Sequence, residues 1–181
     1  MVPDTSYTYA DYAALPEGAP YQLIGGQLVV SPSPTLQHQR VLGRIFRIVS
    51  GFVEENGLGE VFIAPIDLRL EDSDVYQPDL VFVAAADGDR LGERAIEGAP
   101  DLVVEVLSPS TAGYDLRQKR DAYERHGVKE YWIVDPAARR IEVYALEDGR
   151  FRKIDEAREG GGVRSRILTG MEIAWSTVFT R

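Results

Sequence analysis

Across residues 35–56 the apolar positions Val41, Leu42, Ile45, Phe46, Val49, Phe52 and Val53 recur at three- and four-residue steps, which predicts a helix with one buried face, closed by Gly57. Upstream, residues 8–15 read as a short helix. The apolar stretches flanking Gly25-Gly26 predict a β-hairpin with a two-residue turn. Downstream the pattern shifts to short apolar runs at 61–64, 67–70, 80–84 and 102–107, read as strands. Residues 108–113 are rich in turn formers, residues 114–126 fit a helix stopped by Gly127, and 130–134 fit a strand. That order of strand, helix and strand predicts one parallel crossover within a mixed sheet. Residues 140–146 and 151–154, joined at Asp148-Gly149, predict a second hairpin. The glycines 160–162 read as a flexible loop, and 163–179 as a returning strand and turn.

The pattern therefore predicts an α/β protein. At 181 residues the chain is long enough for one domain with a substantial core, and one domain over 1–181 is the expectation. Hydrophobic content of 44% with 27% charged residues is ordinary globular composition. No cysteine is present, which excludes disulfides, thiolate metal sites and cysteine nucleophiles. Residues 1–7 lack a basic region followed by an apolar stretch, and no run approaches the roughly 18 apolar residues of a membrane span. A cytoplasmic protein with no membrane partner is the expectation. The glycine clusters are not followed by the lysine and hydroxyl residue of a phosphate loop. A net charge of −9 argues against broad attraction to nucleic acid. Arg40, Arg44 and Arg47 recur at three- and four-residue spacing and form either a local basic stripe or a solvated helix face.

Candidate chemistry begins with two acids. Asp79 opens the apolar strand at 80–84, and Glu105 lies near the end of the strand at 102–107. If both reach one sheet end they suit Mg²⁺, a hard cation commonly held by one or two carboxylates with waters and substrate phosphates. Alternation puts Glu105 on the same face as Val103 and Leu107, where a carboxylate needs a partner. The bland alternative is that Asp79 caps a turn and Glu105 pairs with a buried arginine. On the helix after Gly113, Asp115, Lys119 and Tyr123 recur every four residues, so a lysine faces the acid-bearing strand end or makes an ordinary surface ion pair.

Taken together, residues 21–28 (YQLIGGQL), His38, Pro78-Asp79, 105–111 (EVLSPST), Asp115, Lys119, Tyr123 and 127–136 (GVKEYWIVDP) resemble the Uma-type endonucleases, a branch of the PD-(D/E)xK nuclease superfamily. The resemblance covers nearly the whole chain. It implies a restriction-endonuclease-like mixed sheet flanked by helices, with an added N-terminal hairpin, and a Mg²⁺- or Mn²⁺-dependent phosphodiesterase acting on nucleic acid, with DNA the expected partner. Carried over residue by residue, Asp79 and Glu105 are the metal-binding acids, with the Val106 carbonyl as a further ligand. Lys119 replaces the superfamily lysine, whose usual place two residues beyond the second acid holds Leu107. Asp115 orients Lys119, Tyr123 holds Lys119 or touches the phosphate, and His38 either contacts phosphate or metal or is a capping or packing residue. The chain departs from the family in its first hairpin, where Gln22, Gly25 and Gln27 stand at places commonly acidic. Gln22 there either offers the metal a carbonyl oxygen in place of a charge or is an exposed hairpin residue away from it. An endonuclease is the leading expectation. The alternative is a catalytically inert nuclease-fold module that binds nucleic acid, dimerises or regulates; a homodimer is compatible with either.

Overall fold

The computed structural model describes residues 6–108 and 115–179, excepting the side chains of residues 115 and 116. The expected turn at 109–113, and the helix start at Tyr114, lie outside the described residues. In chain order the elements begin with α1 (Tyr9–Ala13), β1 (Tyr21–Ile24), β2 (Gln27–Val30) and α2 (Leu36–Asn56). They continue through β3 (Gly59–Ile63), β4 (Asp67–Glu71), β5 (Asp74–Tyr76), β6 (Leu80–Ala84), a 3-10 segment (Ala85–Arg90), β7 (Ala95–Glu97) and β8 (Leu102–Val106). The remainder comprises α3 (Asp115–His126), β9 (Glu130–Asp135), β10 (Arg140–Glu147), β11 (Arg150–Ala157), β12 (Gly162–Arg164), β13 (Glu172–Ala174) and α4 (Trp175–Phe179).

The local reasons match the sequence. Thr35 caps α2 by accepting the His38 N–H on its hydroxyl, and Gly57 ends the helix at φ 61°, a left-handed conformation that favours glycine. Gly25 and Gly26 both have positive φ, as a tight twisted hairpin turn requires.

The strands divide into three sheets, of which the pattern foresaw one. Six strands in the order β11-β10-β9-β8-β6-β3 form the central sheet, whose β8 and β9 are parallel through the α3 crossover while the other pairs are antiparallel. The N-terminal hairpin is not a free appendage, because β1 pairs with β5 in a second, five-stranded sheet ordered β2-β1-β5-β4-β7. The short strands β5 and β7 that complete it carry only three residues each and leave no readable period. The end of the chain forms a two-stranded sheet, β12-β13, and then α4, a helix where a turn was expected.

Apolar alternation fixes what each face of the central sheet meets. Leu80, Phe82, Leu102, Val104 and Val106 pack with Leu42, Ile45 and Val49 of α2 and with Trp175 and Val178 of the C-terminal segment. Val81, Val83 and Val103 pack on the opposite face with Tyr123 of α3 and with Ile24, Leu68 and Tyr76 of the five-stranded sheet. Because β6 runs antiparallel to β8 with Leu80 opposite Val104, the start of β6 and the end of β8 lie at one edge of the sheet. The N-terminus of α2 reaches that same edge through His38.

Candidate active site

Asp79 immediately precedes β6. Its Oδ2 accepts the Val106 N–H at 2.7 Å and lies 3.2 Å from His38 Nε2, while its backbone carbonyl accepts the Ala64 N–H. The strand entry is thus held from β8, from α2 and from the end of β3. Oδ1 has no hydrogen-bond partner among the described residues, which leaves one carboxylate oxygen available.

Glu105 faces α3, as alternation along β8 requires. Its carboxylate accepts the Tyr123 hydroxyl at 2.8 Å, and both oxygens lie 3.1 Å from Lys119 Nζ. Glu105 and Lys119 are each 6% exposed, and Tyr123 is fully buried. Tyr123 is also packed edge-on against Tyr76 and Tyr131, which fixes its ring. Lys119 therefore stands beside the acid-bearing strand end and is not a surface ion pair. Burial raises the Glu105 carboxyl to about 7; the Lys119 charge and the Tyr123 bond oppose that rise, and Asp79 adds to it.

His38 is held up differently. Burial disfavours its charged ring, but the Asp79 carboxylate and the Val106 carbonyl outweigh burial and raise its pKa. Its Nδ1 is buried with no hydrogen-bond partner among the described residues. Gln22 is buried, and both ends of its amide are engaged: Oε1 accepts the Gln77 N–H at 2.9 Å and Nε2 donates to Ser31 Oγ at 2.7 Å. It braces the Gln77-Pro78-Asp79 segment from β1. Asp115 opens α3, and its side chain lies outside the described residues.

Sequence reasoning passed over Gln77, whose Nε2 reaches Asp67 Oδ1 and the Tyr12 hydroxyl and so anchors the Asp79 approach from a second direction. The only signal was its position beside Pro78-Asp79. It also passed over the buried carboxylates Asp74, Asp101 and Glu130, which serve the fold. Asp101 accepts the Ala84 N–H and Lys129 Nζ; Glu130 accepts the Trp132 indole N–H, the Ser165 hydroxyl and the Arg166 N–H.

Among the described residues no three or more His, Cys, Asp or Glu side chains are placed to hold a metal ion. Mg²⁺ needs no such cage, since one or two carboxylates completed by water and phosphate oxygens commonly hold it. The free Oδ1 of Asp79, the Glu105 carboxylate and the neighbouring Val106 carbonyl are hard oxygen donors of the right kind.

Comparisons with known proteins bear on the family and the fold. A protein of Synechocystis sp. (strain ATCC 27184 / PCC 6803 / Kazusa), "Uncharacterized protein sll1609", is 26% identical over 125 residues, 68% of this chain and 70% of that protein. The crystal structure of "a putative nuclease belonging to DUF820" from Anabaena variabilis ATCC 29413 superposes with a TM-score of 0.80 at 20% identity, covering 95% of this chain and 97% of that one. It establishes the shared restriction-endonuclease-like fold. No helix among the described residues is long and apolar enough to cross a membrane. The family model described as "Uma2: Putative restriction endonuclease" matches residues 9–176, and the chain belongs to that family.

Proposed function

We propose that the chain is a Mg²⁺- or Mn²⁺-dependent endonuclease whose reactive centre is formed by Asp79, Glu105 and Lys119. The observation that carries this reading is the buried Lys119 ammonium 3.1 Å from Glu105 at the sheet edge where Asp79 keeps one free carboxylate oxygen. A buried lysine and two acids meeting at one sheet end form a recurring arrangement for phosphoryl chemistry, because lysine supplies a flexible cation to phosphate oxygens.

Asp79 Oδ1, Glu105 and the Val106 carbonyl would hold the cation, which would supply polarisation of the scissile phosphate and a lowered pKa of bound water. Lys119 offsets negative charge on the phosphate and orients the attacking water. Tyr123 fixes the Glu105 carboxylate through its 2.8 Å bond. His38 and the Val106 N–H share Asp79 Oδ2, so Oδ1 is the oxygen left without a hydrogen-bond partner among the described residues. Gln22 and Gln77 hold the loop that carries Asp79.

A second reading is favoured by the closure of Glu105 onto Lys119 and Tyr123 within the chain, together with the uncharged Gln22: a non-catalytic module that binds nucleic acid or dimerises. Cleavage of labelled DNA with Mn²⁺ by the wild type, Asp79→Asn and Glu105→Gln separates the two. The nuclease reading expects cleavage lost by at least about 100-fold in both variants with folding retained. Unchanged cleavage in both variants, or none by the wild type, contradicts it.

A further inference from the structure

The outward face of α2 carries a row of arginines that the site described above does not use. From Leu36 to Val53 the helix carries Arg40, Arg44 and Arg47 and no acid, and its last turn adds the exposed Glu54 and Glu55, in a chain with a net charge of −9. Arg40 and Arg47 are exposed, and neither has a carboxylate within ion-pairing distance among the described residues. Among the other arginines, Arg69, Arg90, Arg150, Arg164 and Arg166 each pair with an acid, while Arg120 and Arg139 donate to backbone carbonyls. Two exposed arginines on one helix face, Arg40 and Arg47, without a carboxylate partner among the described residues, keep a local field suited to a polyanion.

The shape of the same face is consistent with close approach. Val41, Ile45 and Val49 define the buried side of α2, and with about 100° per residue Arg40, Gly43, Arg47 and Gly51 fall on the opposite side. A Cβ built at Gly43 or Gly51 would meet no atom within 4 Å. Glycine disfavours a helix interior, and no packing among the described residues calls for it at either position. Gly43 leaves a low surface between the exposed Arg40 and Arg47, and Gly51 leaves another between Arg47 and the exposed Glu54 and Glu55. Arg40 lies two residues from His38, which touches Asp79, and Arg47 is about 10 Å further along the axis.

We propose that this face of α2 is a track for the sugar-phosphate backbone of the nucleic acid, with Arg40 and Arg47 each contacting a phosphate away from the scissile one. The proposal rests on the nuclease reading above, and guanidinium forks suit it because they recognise phosphate oxygens bidentately. Arg44 adds charge from a fixed position, since its Nη1 donates to the Val178 carbonyl of α4.

The test is fluorescence anisotropy of a short labelled DNA duplex in EDTA, at salt concentrations between about 50 and 200 mM, with the wild type and the double variant Arg40→Gln/Arg47→Gln. The expected result is weaker binding by about tenfold per arginine near 0.1 M salt, and a salt slope shallower by about 1.8, or 0.9 per lost phosphate contact. Mn²⁺ affinity measured by calorimetry on the same proteins stays unchanged, because neither arginine touches Asp79 or Glu105. Equal affinity and equal slope in the two proteins overturn the track and leave the nuclease reading standing. No binding by the wild type at any salt overturns both. A change in oligomeric state on sedimentation, with DNA affinity unaltered, assigns the face to contact between copies and overturns the proposal.

Discussion

Lys119 Nζ lies 3.1 Å from both carboxylate oxygens of Glu105, across 14 residues of sequence, with both side chains buried. The pair has a consequence for stability. Burial lifts the Glu105 carboxyl from 4.5 to about 7, so the folded protein holds a proton there that the unfolded chain releases. Stability from this group is fully present below about 4.5 and is lost as pH rises through about 7. Metal-free protein is therefore predicted to lose up to about 3 kcal/mol across that window. Glu105→Gln, which keeps an acceptor for Lys119, removes the loss. Urea midpoints measured across this pH range in the two proteins check it, and parallel profiles would refute the assignment.

Tyr123→Phe keeps the ring between Tyr76 and Tyr131 and removes only the 2.8 Å bond to Glu105. A buried acceptor that loses its donor costs about 1 to 3 kcal/mol. That bond also holds the carboxyl down, so its loss moves Glu105 further up and shifts the pH of half-maximal Mn²⁺ binding upward. Calorimetry at a series of pH values reads the shift. An unmoved midpoint would show that Glu105 does not bind the metal.

Gln22→Glu tests the hairpin departure. A carboxylate at this place still accepts the Gln77 N–H and takes a bond from the Ser31 hydroxyl, so the local structure is retained while a charge is added near Asp79. An added charge effect of about 1 kcal/mol predicts roughly fivefold tighter Mn²⁺ binding with a steeper pH dependence. The same affinity and pH profile in both proteins would place Gln22 outside the electrostatic reach of the site.

Most long elements were legible because their periods are long. The seven apolar positions of α2 and the runs at 80–84 and 102–107 leave little choice of face. The three-residue strands β5 and β7 were not legible, since they form through pairing with distant strands and not through local pattern. In the candidate site, Asp79, Glu105 and Lys119 could be named from order and resemblance, and geometry then set them at one sheet edge. The bond from Val106 N–H to Asp79, the contact of His38 with Asp79 and the bracing of Gln77 by Gln22 were not readable. Each joins residues from different elements, and hydrogen-bond partners of that kind leave no periodic trace.

The central claim is that Asp79 and Glu105 hold a catalytic cation together, and a Mn²⁺ titration of the wild type against Asp79→Asn at pH above 7 tests it most directly. The amide retains an acceptor for the Val106 N–H, so the fold is preserved while the charge is removed. The account predicts one Mn²⁺ per chain in the wild type and a loss of affinity of at least tenfold in the variant. Equal binding in the two proteins, or no binding in either, would contradict it.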